Sequence, residues 1–202
     1  MNDKITFDAV HYSLNQIKKD YFLNDLCVRN SPQLENIAIT IQSLYLYRNI
    51  LMADEYPRSL EASLCKNIII SSYSVIEGIV IFAGYKIQTA CSQCKHPCHN
   101  RSVSMFEDKS TAKNERNAFF NAEQFLKNVG IISFNRGANK FYNSFRDSRN
   151  NVHLGKTTEV ITNDKNYTRK SCNFALSFLQ EFIKLMKDNY KEFCRCNDCE
   201  VR

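Results

Sequence analysis

The residues best suited to chemistry in this chain fall in one short segment, Phe141 to His153. At helical steps of about 100° per residue, Ala138, Phe141, Phe145, Ser148 and Val152 group on a side expected to be buried. Tyr142, Arg146, Arg149 and His153 group on the adjacent strip, with Asn150 at its margin. Asp147 and Asn151 lie farther round, toward solvent. Two guanidinium groups, an imidazole and a phenol beside an apolar seam suit RNA cleavage without a metal. In that reaction the 2′-OH loses a proton as it attacks the neighbouring phosphate, and the 5′ oxygen gains one. An imidazole with an ordinary pKa of about 6.5 can serve either transfer near neutral pH. An arginine stays charged and can grip two phosphate oxygens as negative charge builds on them. The plainer reading of the same face is a set of surface cations, with Arg146 or Arg149 paired to a carboxylate elsewhere.

A second group of reactive side chains is the cysteines. The chain has nine, and six of them cluster: Cys91, Cys94 and Cys98 with His96 and His99, then Cys194, Cys196 and Cys199. A Cys-x2-Cys turn brings two thiolates within reach of one tetrahedral zinc ion, and two such turns complete its shell. Cys91, Cys94, Cys196 and Cys199 are the expected ligands, with Cys98, His99 and Cys194 as substitutes. A closed four-ligand site has no open position, so its expected role is a structural staple that adds metal-binding energy to folding. The competing reading is a set of reduced thiols, or a redox switch. Cys27, Cys65 and Cys172 fall on apolar faces and are expected in the core.

The run from Arg146 through Asp147 to His153 resembles the motif of the HEPN ribonucleases, an arginine, a polar residue, and a histidine after four to six intervening positions. Arg149-Asn150 stands one residue too close to His153 for the common form, and Arg146-Asp147 meets the spacing. The resemblance implies a homodimer whose two motifs meet in one composite cleft and cut RNA without a metal, leaving a 2′,3′-cyclic phosphate and a 5′-hydroxyl. It assigns His153 the general acid/base role and Arg146 the scissile phosphate. Arg149 and Asn150 would assist at phosphate or ribose, and Tyr142 and Asp147 would contact substrate. Family members often act as toxins or as anti-phage defence effectors, and an antitoxin or regulatory partner is a matching expectation. Others are non-catalytic modules that bind RNA or protein, the alternative here, with structural zinc for stability. A zinc-dependent DNA-binding regulator is a third reading, which no densely basic helix supports.

These residues must be held by helices. Five Gly and three Pro leave few tight turns, and a 44% hydrophobic, 24% charged composition is that of a globular protein. Apolar residues recur at helical spacing over about 3–25 (Phe7, Val10, Leu14, Ile17, Tyr21). Ser31-Pro32 has the form of a helix start, and the helix it opens carries Leu34, Ile37, Ile41, Leu44 and Leu51 on one side, ended by Pro57. A third helix over about 58–84 is apolar nearly all round, so it belongs at the centre of the packing.

A Cys/His insertion is expected at 88–101 and a polar connection over about 100–113. A helix follows over 119–129, with Gly130 as its stop, then a short one over 135–154. The last, over 167–193, bears Cys172, Ala175, Leu176, Leu179, Phe182, Ile183 and Met186, before a Cys-rich tail at 194–202. The sum is a single all-α domain over 1–202, an up-and-down bundle of five or six helices with a small zinc staple.

Net charge is +6, compatible with RNA as a partner and not specific to it. The first residues lack the pattern of a secretion signal, and a cytoplasmic location is expected. The apolar stretch 67–85 contains Ser71, Ser72, Ser74 and Glu77, so a core helix is expected there in preference to a membrane span.

Overall fold

The computed structural model describes residues 13–26, 32–93, 112–132, 143 and 167–194, with 88–93, 112–118 and 191–194 described by backbone alone. Within them the fold is all-α: α1 (Leu14–Asp20), α2 (Leu23–Leu26), α3 (Pro32–Ala53), α4 (Arg58–Gln93), α5 (Ala112–Asn128) and α6 (Arg169–Cys194), with no strand among the described residues.

The central helix is α4, which packs against α3, α5 and α6. Its buried residues, including Ala62, Cys65, Ile68, Tyr73, Ile76, Ile79 and Ala83, occur in every turn and on several sides. Such a helix has no solvent face wide enough to be amphipathic, as expected of a hub. The stretch Arg58–Ile87 is long and apolar enough to cross a membrane by length and composition, yet 56% of its apolar window is buried inside the protein. Burial by neighbouring helices accounts for its apolar character.

Chain direction follows from cross-helix contacts. Arg169 Nε donates to Glu61 at 2.8 Å, and one turn farther along both helices the Cys172 and Cys65 thiols meet. Numbers rise together, so α6 runs parallel to α4. Helix α3 runs the other way: its end at Leu51 meets the start of α6, while Ile41 and Leu44 lie beside Leu179 and Leu176. Phe119 rests edge-on against Tyr73 midway along α4, and the carbonyl of Ile131 accepts from Asn189 near the far end of α6. So α5 also runs toward the far end.

The core residues follow the helical periodicity. Leu34, Ile37, Ile41, Leu44 and Leu51 of α3 are all buried, and so is the α6 stripe from Cys172 to Met186, with Leu176 partly exposed. Gly130 takes φ 84°, its N–H bonds to Lys127 O at 3.1 Å, and Ile131 N reaches back to Leu126 O at 2.9 Å. This is a Schellman stop, in which the glycine tolerates the left-handed turn and buried Ile131 packs toward buried Leu126.

Other boundaries differ from the sequence reading. The expected helix over 3–25 breaks at Tyr21-Phe22, where Phe22 takes φ 46°. The break lets Phe22, Leu23 and Leu26 all enter the core, which a straight helix cannot do. Helix α3 stops at Ala53, short of Pro57, and Pro57 instead opens α4 by accepting from Leu60 N and Glu61 N. Helix α4 continues through Gln93, past the expected end near 84, so the first residues of the expected Cys/His insertion, 88–93, are helical. Helix α5 begins at Ala112, earlier than the apolar pattern required.

Close approach of α3 and α4 depends on Gly78: a Cβ there would lie 2.6 Å from Ile37 Cδ1. In Gly78→Ala the Ile37 methyl swings aside, and the gain in helix propensity of about 1 kcal/mol offsets that movement, leaving stability within about 1 kcal/mol of wild type. Gly78→Leu forces the helices apart and is expected to cost about 1–3 kcal/mol. Urea unfolding of the two variants checks the contrast.

Candidate functional site

The expected catalytic segment belongs to the link between α5, which ends at Asn128, and α6, which begins at Arg169. Arg146, Asp147, Arg149, Asn150, His153 and Tyr142 lie outside the described residues, as do all four histidines of the chain. Asn143 within that link is helical and exposed. Of the expected zinc ligands, Cys91 lies in the last turn of α4, and Cys94, Cys196 and Cys199 lie outside the described residues. The substitute Cys194 is the last residue of α6. Cys98, His99 and core candidate Cys27 also lie outside.

The parallel course of α4 and α6 bears on the cysteine clusters. At about 1.5 Å per residue, Cys91 lies about 39 Å along α4 from Cys65, and Cys194 about 33 Å along α6 from Cys172. Both helices therefore end at the same end of the bundle, at nearly the same height. The two Cys-x2-Cys segments thus adjoin helix ends on the same side of the bundle. Antiparallel helices would have set them a bundle length apart.

At the opposite end a polar clasp holds three helices. Arg169, the first residue of α6, donates from Nε to Glu61 of α4, from Nη1 to Leu51 O at 2.7 Å and from Nη2 to Asp54 O at 2.9 Å. Leu51 and Asp54 lie at the C-terminal end of α3, where backbone carbonyls lack helical partners and favour a cation. Arg58 adds a longer contact to Glu61, 3.4 Å. Directly beneath sit Cys65 and Cys172, both fully buried. The Cys172 thiol donates to Cys65, which holds the Cys65 pKa below the usual thiol range against the opposing effects of burial and Glu61; Arg169 and Arg58 assist. The same hydrogen bond, burial and the Cys65 charge push Cys172 well above that range.

Compared with protein families, curated proteins and solved structures, the chain matches none.

Further polar groups occur on the described surface and in the core. A small cleft is bounded by Tyr21, Tyr45, Arg48 and Gln180 over Leu44 and Leu179, with the two phenols hydrogen-bonded at 2.7 Å. It presents phenol, amide and guanidinium groups, with no carboxylate or imidazole in its lining. In the core, Lys66 is buried with its ammonium 5.7 Å from the Tyr167 ring centroid, and buried Glu123 accepts from Lys127 at 2.5 Å. Each buried charge thus has a compensating neighbour.

Sequence reasoning placed Cys65 and Cys172 on apolar faces and missed that they touch. Nothing in the spacing of two residues so far apart signals a contact. The Tyr21–Tyr45 and Arg169–Glu61 pairs were missed for the same reason.

Proposed function

We propose that this chain is a metal-independent RNA endonuclease of HEPN type whose reactive groups are His153 and Arg146. The observation that carries this reading is the Arg146–His153 spacing within the link that precedes the final long helix of an all-helical fold. His153 would take the 2′-OH proton as that oxygen attacks phosphorus, and return a proton to the departing 5′ oxygen. Arg146 would hold the phosphate oxygens, with Arg149 and Asn150 assisting and Tyr142 and Asp147 against the nucleotide. Two copies of the chain would share the cleft, and a toxin or anti-phage role, under an antitoxin or other regulator, is consistent with such an activity.

The test is incubation of the purified protein with total RNA in EDTA, followed by analysis of the product ends. Fragments with 2′,3′-cyclic phosphate and 5′-hydroxyl ends are expected. Binding without cleavage would favour the non-catalytic module, and cleavage only on addition of a divalent metal would overturn the mechanism. Circular dichroism on the same samples separates loss of chemistry from loss of fold.

A structural zinc on Cys91, Cys94, Cys196 and Cys199 belongs to the same proposal, supported by the shared end of α4 and α6 described above. The thiolates would hold the ion, which would tie the tail to the end of α4. One zinc per chain is expected by elemental analysis, with Cys91→Ser and Cys199→Ser each losing most of it. Chelation is expected to lower Tm by roughly 5 °C or more. A full-length protein purified with zinc in excess and retaining none after desalting would remove the staple.

A further inference from the structure

We propose that Cys65 and Cys172 are a redox-active dithiol that closes to a disulfide joining α4 to α6. Both side chains are fully buried, and their thiols are hydrogen-bonded to one another across the helix seam. Their alignment is fixed from the turn before, where Arg169 is held by Glu61 and by two carbonyls of the α3 end. Small side chains stand one turn from each cysteine: Ala62 before Cys65 on α4 and Ala175 after Cys172 on α6 are also fully buried. Small residues on both helices let the backbones approach, which a disulfide requires, since its Cα atoms lie about 4.4–6.8 Å apart.

The local charges divide the work between the two sulfurs. Cys65 accepts the hydrogen bond from Cys172 and lies near Arg169 and Arg58, which lowers its pKa and favours it as the attacking thiolate. Cys172 keeps its proton and serves as the resolving thiol. With a hydroperoxide as oxidant, the Cys65 thiolate attacks one peroxide oxygen. An S–O bond forms, the O–O bond breaks and hydroxide leaves, giving a sulfenic acid. The Cys172 sulfur then attacks Cys65 sulfur. The S–S bond forms, the S–O bond breaks, and water departs with the Cys172 proton. Two thiols have lost two electrons in all, and hydrogen peroxide has become two waters. Cys172 lies in the first turn of α6 and Cys65 in the second turn of α4, and a transient opening of this end of the bundle would admit a small oxidant.

The readout is direct because trypsin releases each residue alone: the peptides 59–66 and 171–184 hold one cysteine apiece. The full-length protein is treated with hydrogen peroxide, or with dithiothreitol as control, quenched in acid, alkylated while unfolded, and digested without reductant. The peroxide sample should yield the two peptides joined, two hydrogens lighter than their sum, and dithiothreitol should separate them. The bond closes a long loop, so Tm is expected to rise by about 5–10 °C. In Cys172→Ala the joined peptide and the rise should both be absent. If that variant does not fold, the peptide map of the wild type still decides. Recovery of both peptides singly alkylated after peroxide overturns the proposal and leaves two inert core thiols.

Discussion

His153→Ala is expected to lower RNA cleavage by about 10²–10⁴-fold, the range spanned by positioned acid/base groups. The fall should appear in kcat, with RNA binding little changed, because an imidazole that moves protons acts in the transition state and not in the ground-state complex. Arg146→Ala is expected to cost about 10²–10³-fold, the magnitude found for groups that stabilise developing oxyanion charge. Arg146→Lys should recover only part, since an ammonium lacks the planar fork that meets two phosphate oxygens. Arg149→Ala, at an assisting position, should lose less than either. Cleavage assays in EDTA on single-site variants with unchanged circular dichroism would measure all four. A His153→Ala protein that cuts as fast as the wild type would take the imidazole out of the reaction.

The second large effect is on stability and concerns Phe22. This residue is buried to 1% exposure, packs its ring 5.9 Å from that of Tyr190, and holds a backbone φ of 46°. A bulky residue in the left-handed region stores roughly 1–2 kcal/mol of strain, so burial of the ring must outweigh it. Phe22→Ala loses the ring and keeps the strained backbone; an expected cost of about 3–5 kcal/mol follows. For a chain of this size that is a fall in Tm of roughly 6–20 °C. Phe22→Gly loses the same ring but releases the strain, partly offset by the greater freedom of glycine when unfolded. The glycine variant should therefore be no less stable than the alanine one, the reverse of their order at an ordinary helical position. Thermal melts of the pair decide it: an alanine variant more stable by 1 kcal/mol or so would show that the turn at Tyr21-Phe22 carries no strain.

The helices and their buried faces were legible in the amino-acid order, because burial in a bundle is a local, periodic requirement. Leu34 through Leu51 on α3, and Cys172 through Met186 on α6, repeat at the pitch of the helix, and those positions are the ones the core covers. Gly130 could likewise be read as a stop, since a left-handed residue after an apolar helix is a chemical property of glycine. The break at Phe22 was not legible. No breaker residue marks it, and its cause is the favourable burial of Phe22, Leu23 and Leu26 against other helices. The length of α4 was underestimated because Gln88, Thr89 and Ser92 end the apolar pattern while helical hydrogen bonding carries on to Gln93.

The candidate site divides along the same line. The types and spacing of Arg146, His153 and the Cys-x2-Cys pairs are properties of the amino-acid order alone, and so is the chemistry they suggest. Which distant groups meet was decided by tertiary packing: α6 alongside α4 in the same direction, Arg169 over Glu61, Cys172 against Cys65. Periodicity states which face of each helix avoids water. It is silent on which helix covers that face and in which direction it runs, because apolar surfaces attract without regard to identity. Packing of side-chain shapes and a few directed polar contacts chose among those arrangements.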